Sequence, residues 1–160
     1  GEQMTGFKEG RPLFMRMPDA DFSLANFMRT QLCSACASLK IGMDILSGEG
    51  VELDSMTGHG GFFKVPVVGQ KIMAAAIGTA VNVMSTAGEG GPWGMAVLAA
   101  YMKNGGGKEL ADYLSDNVFG GAEVSSVEPE PADEDGFAAF MEQYKAGLKA
   151  ERAAVDALRS

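Results

Sequence analysis

The sequence predicts an α/β fold of short parallel strands joined by crossover helices, and three observations carry that reading. Two short runs, 51–56 with partial apolar alternation and the more apolar 81–84, each lead into a glycine-rich bend. Each bend is followed by a segment whose apolar residues recur at helical spacing, and a longer stripe of the same kind precedes the first run. The order across 23–102 is therefore helix, strand, glycine loop, helix, strand, glycine loop, helix. Such alternation favours parallel pairing, because parallel neighbours need a long crossover that a helix supplies.

Residues 1–21 are rich in Gly and Pro around one apolar run, 12–17, which reads as a strand or hairpin arm leading into the domain. Opening on Gly1-Glu2-Gln3, with no initiator Met, the chain reads as a piece of something longer. Over 23–46, Leu24, Phe27, Met28, Leu32, Ala35, Leu39, Met43 and Leu46 recur at three and four, predicting a helix of about six turns with one buried stripe. Ser23 or Asp21 caps it, and Ser47-Gly48-Glu49-Gly50 ends it. The first strand, 51–56, runs into Thr57-Gly58-His59-Gly60-Gly61. Pro66 then fits a first helical turn, and Val68, Ile72, Met73 and Ala76 form a stripe that stops at Gly78.

The second strand, 81–84, precedes Thr86-Ala87-Gly88-Glu89-Gly90-Gly91-Pro92, and a helix from about Trp93 to Met102 breaks at Asn104-Gly105-Gly106-Gly107. A short helix follows over 109–114. The polar stretch 118–135, with Pro129 and Pro131, reads as a strand fragment and an extended connection. The last helix, 135–158, carries Phe137, Phe140, Met141, Tyr144, Leu148, Val155 and Leu158 on one face and charges on the other. With 160 residues and 46% hydrophobic content, one domain over 1–160 is expected, with 159–160 as a tail.

Charge narrows the partners. Against 21 acidic residues stand 13 basic ones, and the net charge of −8 repels phosphate backbones and anionic headgroups, so neither nucleic acid nor a membrane surface is expected as a partner. No stretch reaches the roughly 20 apolar residues of a membrane span, and the N-terminus lacks a signal-peptide pattern, so a cytoplasmic protein is expected. Two cysteines are too few for a secreted disulfide framework.

Both strand-to-helix bends place glycines where backbone N–H groups and a helix N-terminus can meet a phosphate: Gly58, Gly60 and Gly61 in the first, Gly88, Gly90 and Gly91 in the second. Loops after neighbouring parallel strands share one edge of the sheet, where open α/β folds bind ligands. Taken singly, each loop reads equally as a tight turn. Neither ends in Gly-Lys-Ser/Thr, so neither is a Walker loop, and Lys64 reads more readily as a solvated lysine than as a phosphate anchor. His59, the single histidine, suits a ligand edge or a backbone-held position better than a catalytic base. Glu89 could approach a magnesium-bound water or simply favour the helix dipole. Cys33 and Cys36 have CxxC spacing but fall inside a helix with no second pair for zinc, so inert buried thiols are expected. Exposed thiols would instead admit a redox or metal role.

With these residues in view the chain resembles the FGGY family of carbohydrate kinases, whose two actin-like (ribonuclease H-like) domains close on ATP and a sugar. The resemblance runs from Asn26-Phe27-Met28-Arg29 through Leu39-Lys40, His59-Gly60-Gly61, Gln70 with Ala74-Ala75, and Val81, to Glu89 with Gly94-Met95-Ala96 and Ala99-Ala100. His59 stands where the family has glycine, Cys33 where it has glutamate and Gly69 where it has tryptophan, and the loop is one residue longer. Residues 54–100 are most similar to the pentulose kinases, the ribulokinase and xylulokinase branch.

The resemblance implies the C-terminal half of an actin-like ATPase fold, with ATP and Mg²⁺ as cofactors. Gly58, His59, Gly60 and Gly61 would lie toward phosphates or ribose, and Gly88, Glu89, Gly90 and Gly91 toward the adenosine side. It also implies that the catalytic aspartate lies N-terminal to this region. No counterpart is visible here, Asp19 and Asp21 looking structural, and no residue of the chain is assigned to catalysis or to a metal. Nucleotide and sugar are the implied ligands, with an N-terminal kinase domain or a homo-oligomer as partner. The rival reading is a non-catalytic actin-like module for assembly or regulation.

Overall fold

The computed structural model describes residues 3–85 and 87–158, and of Gln3 and Glu89 the backbone alone. The chain divides into two compact units: Gly1–Leu53, Ile72–Gly78 and Pro129–Ser160 form one, Asp54–Lys71 and Thr79–Glu128 the other.

The second unit holds a three-stranded sheet in the order β1 (Ser55–Gly58), β2 (Ala80–Met84), β3 (Val124–Val127). β1 and β2 run parallel, with Ser55 opposite Ala80 and Gly58 opposite Val83, and α2 (Val68–Ile77) is the crossover between them. β3 runs antiparallel to β2, Val81 facing Val127 and Met84 facing Val124. The expectation of parallel strands therefore holds for one pair and is corrected for the other. A single crossover helix returns the chain for a parallel strand. After β2, α3 (Gly90–Asn104) is followed by α4 (Leu110–Leu114) and a π-helical turn at Ser115–Phe119, and this further traverse reverses the direction of entry. Val81, on the central strand, is fully buried.

Several boundaries move. β1 starts at Ser55, not at 51, and takes in Thr57 and Gly58. α2 starts at Val68, so Pro66 precedes the helix; between them Val67 takes φ 69°, and the Val68 N–H donates to the Pro66 carbonyl at 2.8 Å. That is a γ-turn with a β-branched residue in the left-handed region, a strained arrangement. α3 begins three residues before Trp93, which puts Gly90 and Gly91 in its first turn. It buries no side chain among the described residues, and Met95, Leu98 and Met102 face outward.

In the first unit, α1 (Leu24–Gly48) starts as expected at Ser23, whose Oγ accepts the Asn26 N–H at 3.2 Å. Its buried positions are Cys33, Cys36 and Ala37, while Leu24, Met28 and Leu46 of the expected stripe are exposed. Small residues are buried there because α1 shares a tight core with Ile72, Ala74, Ala75 and Ala76, and with Phe137 and Met141. α5 (Pro131–Ala157) begins at Pro131, not at 135. Proline at the first helical position gives up no hydrogen bond, and Asp133 and Glu134 favour the positive end of the dipole. Leu158 lies past the helix end and is exposed. Residues 12–17 form no strand; the Arg11 N–H donates to Glu151, and the Phe14 ring meets Phe22 and Phe27 at 5.8 and 5.4 Å.

Candidate functional site

β1 and β2 are adjacent and parallel, so the loops that follow them leave the same end of the sheet. The first turns at Gly60, whose φ of 98° is closed to most side chains, and passes through a 3₁₀ turn at Gly61–Phe63. The second forms a 3₁₀ turn at Ala87–Glu89 and enters α3. The two loops touch directly: the Gly60 N–H donates to the Ala87 carbonyl at 2.7 Å. A Cβ on Gly90 would stand 2.9 Å from that of His59, so this approach requires glycine.

Beside the joined loops lies a cleft of about 660 Å³, within the usual range for small-molecule sites. The first loop and the start of α2 supply Phe63, Lys64, Pro66 and Gln70 to its wall. The end of β2 supplies Val83 and Met84, with Ser85 just after it, the second loop Ala87 and Gly88, and β3 Val124 and Ser125, with Glu123 just before it. Lys64 and Glu123 are its ionisable groups, and Ser85 and Ser125 add hydroxyls. The Ser85 N–H donates to the Glu123 carbonyl at 3.2 Å, which holds β3 to the exit of β2. Gln70 is buried, and its amide nitrogen donates to the carbonyls of Val81 and Ser125, both at 3.0 Å.

Of the glycines singled out in the sequence, Gly88 lines this cleft. Gly58 is buried under the Phe63 ring, where a Cβ would fall 2.4 Å from a ring carbon, so any side chain there would displace that ring. The Gly60 N–H is satisfied by Ala87. Among the described residues, Cβ atoms on Gly61 and Gly91 would meet nothing beyond their own chain neighbours within 4 Å. His59 is exposed, and the side chain of Glu89 lies outside the described residues. Phe63, Ser85, Glu123 and Ser125 carry no motif; Ser125 of β3 and Glu123 just before it reach the cleft only because β3 pairs back onto β2.

Cys33 and Cys36 are buried free thiols, as expected. Burial pushes the Cys36 thiol up to about 11, with Cys33 adding to the rise. Burial raises Cys33 as well, against the opposing charge of Arg29. No group of three or more His, Cys, Asp or Glu placed to hold a metal occurs among the described residues. No helix among them is long and apolar enough to cross a membrane.

The cleft lies at the exit of a parallel strand pair in an α/β domain, the edge at which open α/β sheets place their ligands. The family model for the C-terminal domain of the FGGY family of carbohydrate kinases matches residues 1–102, and the chain belongs to that family. The family is one of carbohydrate kinases, phosphotransferases that use ATP. Comparison with curated proteins and with solved structures gave no match.

Proposed function

We propose that this chain is the nucleotide-binding half of an actin-like kinase that transfers the γ-phosphoryl group of ATP to a pentulose-like sugar, of the ribulokinase and xylulokinase branch. The cleft beside the joined glycine loops is the observation that carries this reading. Gly60, Gly61, Gly88, Gly90 and Gly91 let the backbone approach the nucleotide closely, Lys64 offers a positive charge to phosphate, and Ser85 and Ser125 offer hydroxyls. Gly58, His59 and Glu89 complete the loops that carry them. Bound with Mg²⁺, the nucleotide supplies the phosphoryl group, and this chain's residues bind and orient it. The aspartate that orients the sugar hydroxyl, and the sugar site itself, belong to an N-terminal kinase domain that closes on this one in the cytoplasm.

Gly61 and Gly91 give a test free of steric clash, because a methyl at either meets no atom of another part of the described chain within 4 Å. Titrating the ¹⁵N-labelled chain with a magnesium complex of a non-hydrolysable ATP analogue should shift amides of residues 60–64 and 85–91 at millimolar ligand, with no sugar turnover. Gly61→Ala and Gly91→Ala should weaken those shifts several-fold without lowering the melting temperature, alanine in the first turn of α3 tending to raise it. Shifts that survive both substitutions unchanged, or that cluster away from the cleft, defeat the assignment.

A second reading has its own observation. Gly60 spends its N–H on Ala87, and Gly58 and Gly90 are explained by packing against Phe63 and His59, so the loops are satisfied internally. An actin-like module retained for assembly would look the same, and no amide shift at saturating nucleotide would select it.

A further inference from the structure

Gln70 is the one buried polar or charged side chain among the described residues, and its two donor bonds join three elements of the same unit. From the first turn of α2 it reaches the Val81 carbonyl on β2 and the Ser125 carbonyl on β3. The turn that carries it is fixed from the other side too. Gly69 brings the α2 backbone so close to the Phe62 carbonyl that a Cβ would lie 2.4 Å from that oxygen, and Val67 enters the helix through a strained φ of 69°. Phe63, Gln70, Val83 and Ser125 all line the cleft, so the amide sits where its two walls are tied together.

We propose that Gln70 is a positioning residue: it sets the distance between the start of α2 and the β2–β3 edge, and thereby holds the cleft open at ligand width. The primary amide suits the task because it presents two N–H donors to two carbonyls at once, which neither a carboxylate nor a hydroxyl can do. Leaving both buried carbonyls without this donor frees the wall to shift, since an unsatisfied buried acceptor draws in water or a new partner. The proposal rests on the nucleotide reading for the identity of the ligand, but its structural part stands alone.

Two variants test it on the whole chain. Gln70→Met keeps the side chain's length and apolar volume and removes both donors; Gln70→Glu keeps the shape and, when ionised, turns an acceptor toward two carbonyls. Amide hydrogen exchange of the ligand-free chain is compared residue by residue, with titration of the magnesium–ATP analogue alongside. With each hydrogen bond worth about 1 kcal/mol, Gln70→Met should speed exchange about tenfold or more at Val83, Ser85 and Ser125. Exchange in α1 and α5 should stay within about twofold, and the analogue's Kd should rise several-fold. Uniform acceleration throughout the chain, or none at the cleft in either variant, would overturn the proposal and leave Gln70 an ordinary core residue. Local loosening in a chain whose parent binds no nucleotide would uphold the positioning role and overturn the nucleotide reading instead.

Discussion

Substituting Gly69 by alanine sets two effects against each other, and the structure decides between them. Gly69 lies in the first turn of α2, where helix propensity alone favours alanine by about 1 kcal/mol. Its added Cβ, however, would fall 2.4 Å from the Phe62 carbonyl oxygen and 3.1 Å from a carbon of the Phe62 ring. The first contact is about 1 Å inside an ordinary non-bonded separation of ~3.5 Å. It is also made to backbone, so no side-chain rotation relieves it. Forcing an extra methyl group into a packed site costs about 1–3 kcal/mol, and backbone overlap belongs at the upper end. The net effect is a loss of about 2 kcal/mol, or a fall in Tm of about 4–8 °C for a chain of this size. Thermal unfolding followed by circular dichroism, with urea midpoints as a check, measures it. A Tm equal to or above that of the parent would show that α2 does not approach residues 61–63 as closely as described.

Two further outcomes follow from particular residues. Val67 holds a left-handed backbone at about 1–2 kcal/mol, and glycine returns about 0.5–1 of that as chain entropy, so Val67→Gly should raise stability by roughly 0.5–1 kcal/mol; a loss beyond 1 kcal/mol in denaturant melts would contradict the γ-turn. The Cys36 thiol rises on folding from 9.0 to about 11, so the unfolded chain releases its proton first. Its stabilising contribution is whole below pH 9 and declines between pH 9 and 11, at up to about 1.4 kcal/mol per pH unit. Urea midpoints across this range should fall less steeply for Cys36→Ala, and identical slopes would show that the thiol titrates freely in the folded chain.

Local chemistry made much of this fold legible from the residues. Ser23 announces the start of α1 because its hydroxyl can accept a free helix N–H, and Gly78, with φ 70°, announces the end of α2 because few other residues turn there without strain. The parallel β1–β2 pair follows from the helix-forming segment between two short strand-like runs. Such signals are contained within a few neighbouring residues. Pro131 is more ambiguous, since the same ring opens a helix or interrupts a strand, and only its surroundings select the former.

The amino-acid order by itself therefore determined the succession of elements across 23–102, the family, and the proximity of two glycine loops, all of which depend on spacing along the chain. Tertiary structure decided the rest. That β3 is antiparallel, that small residues of α1 and not its large stripe are buried, and that Glu123 and Ser125 wall a cleft with Lys64 and Gln70 all depend on partners distant in sequence. Pairing across such separations is a competition among whole packings, and no local run of residues encodes which one has the lowest free energy.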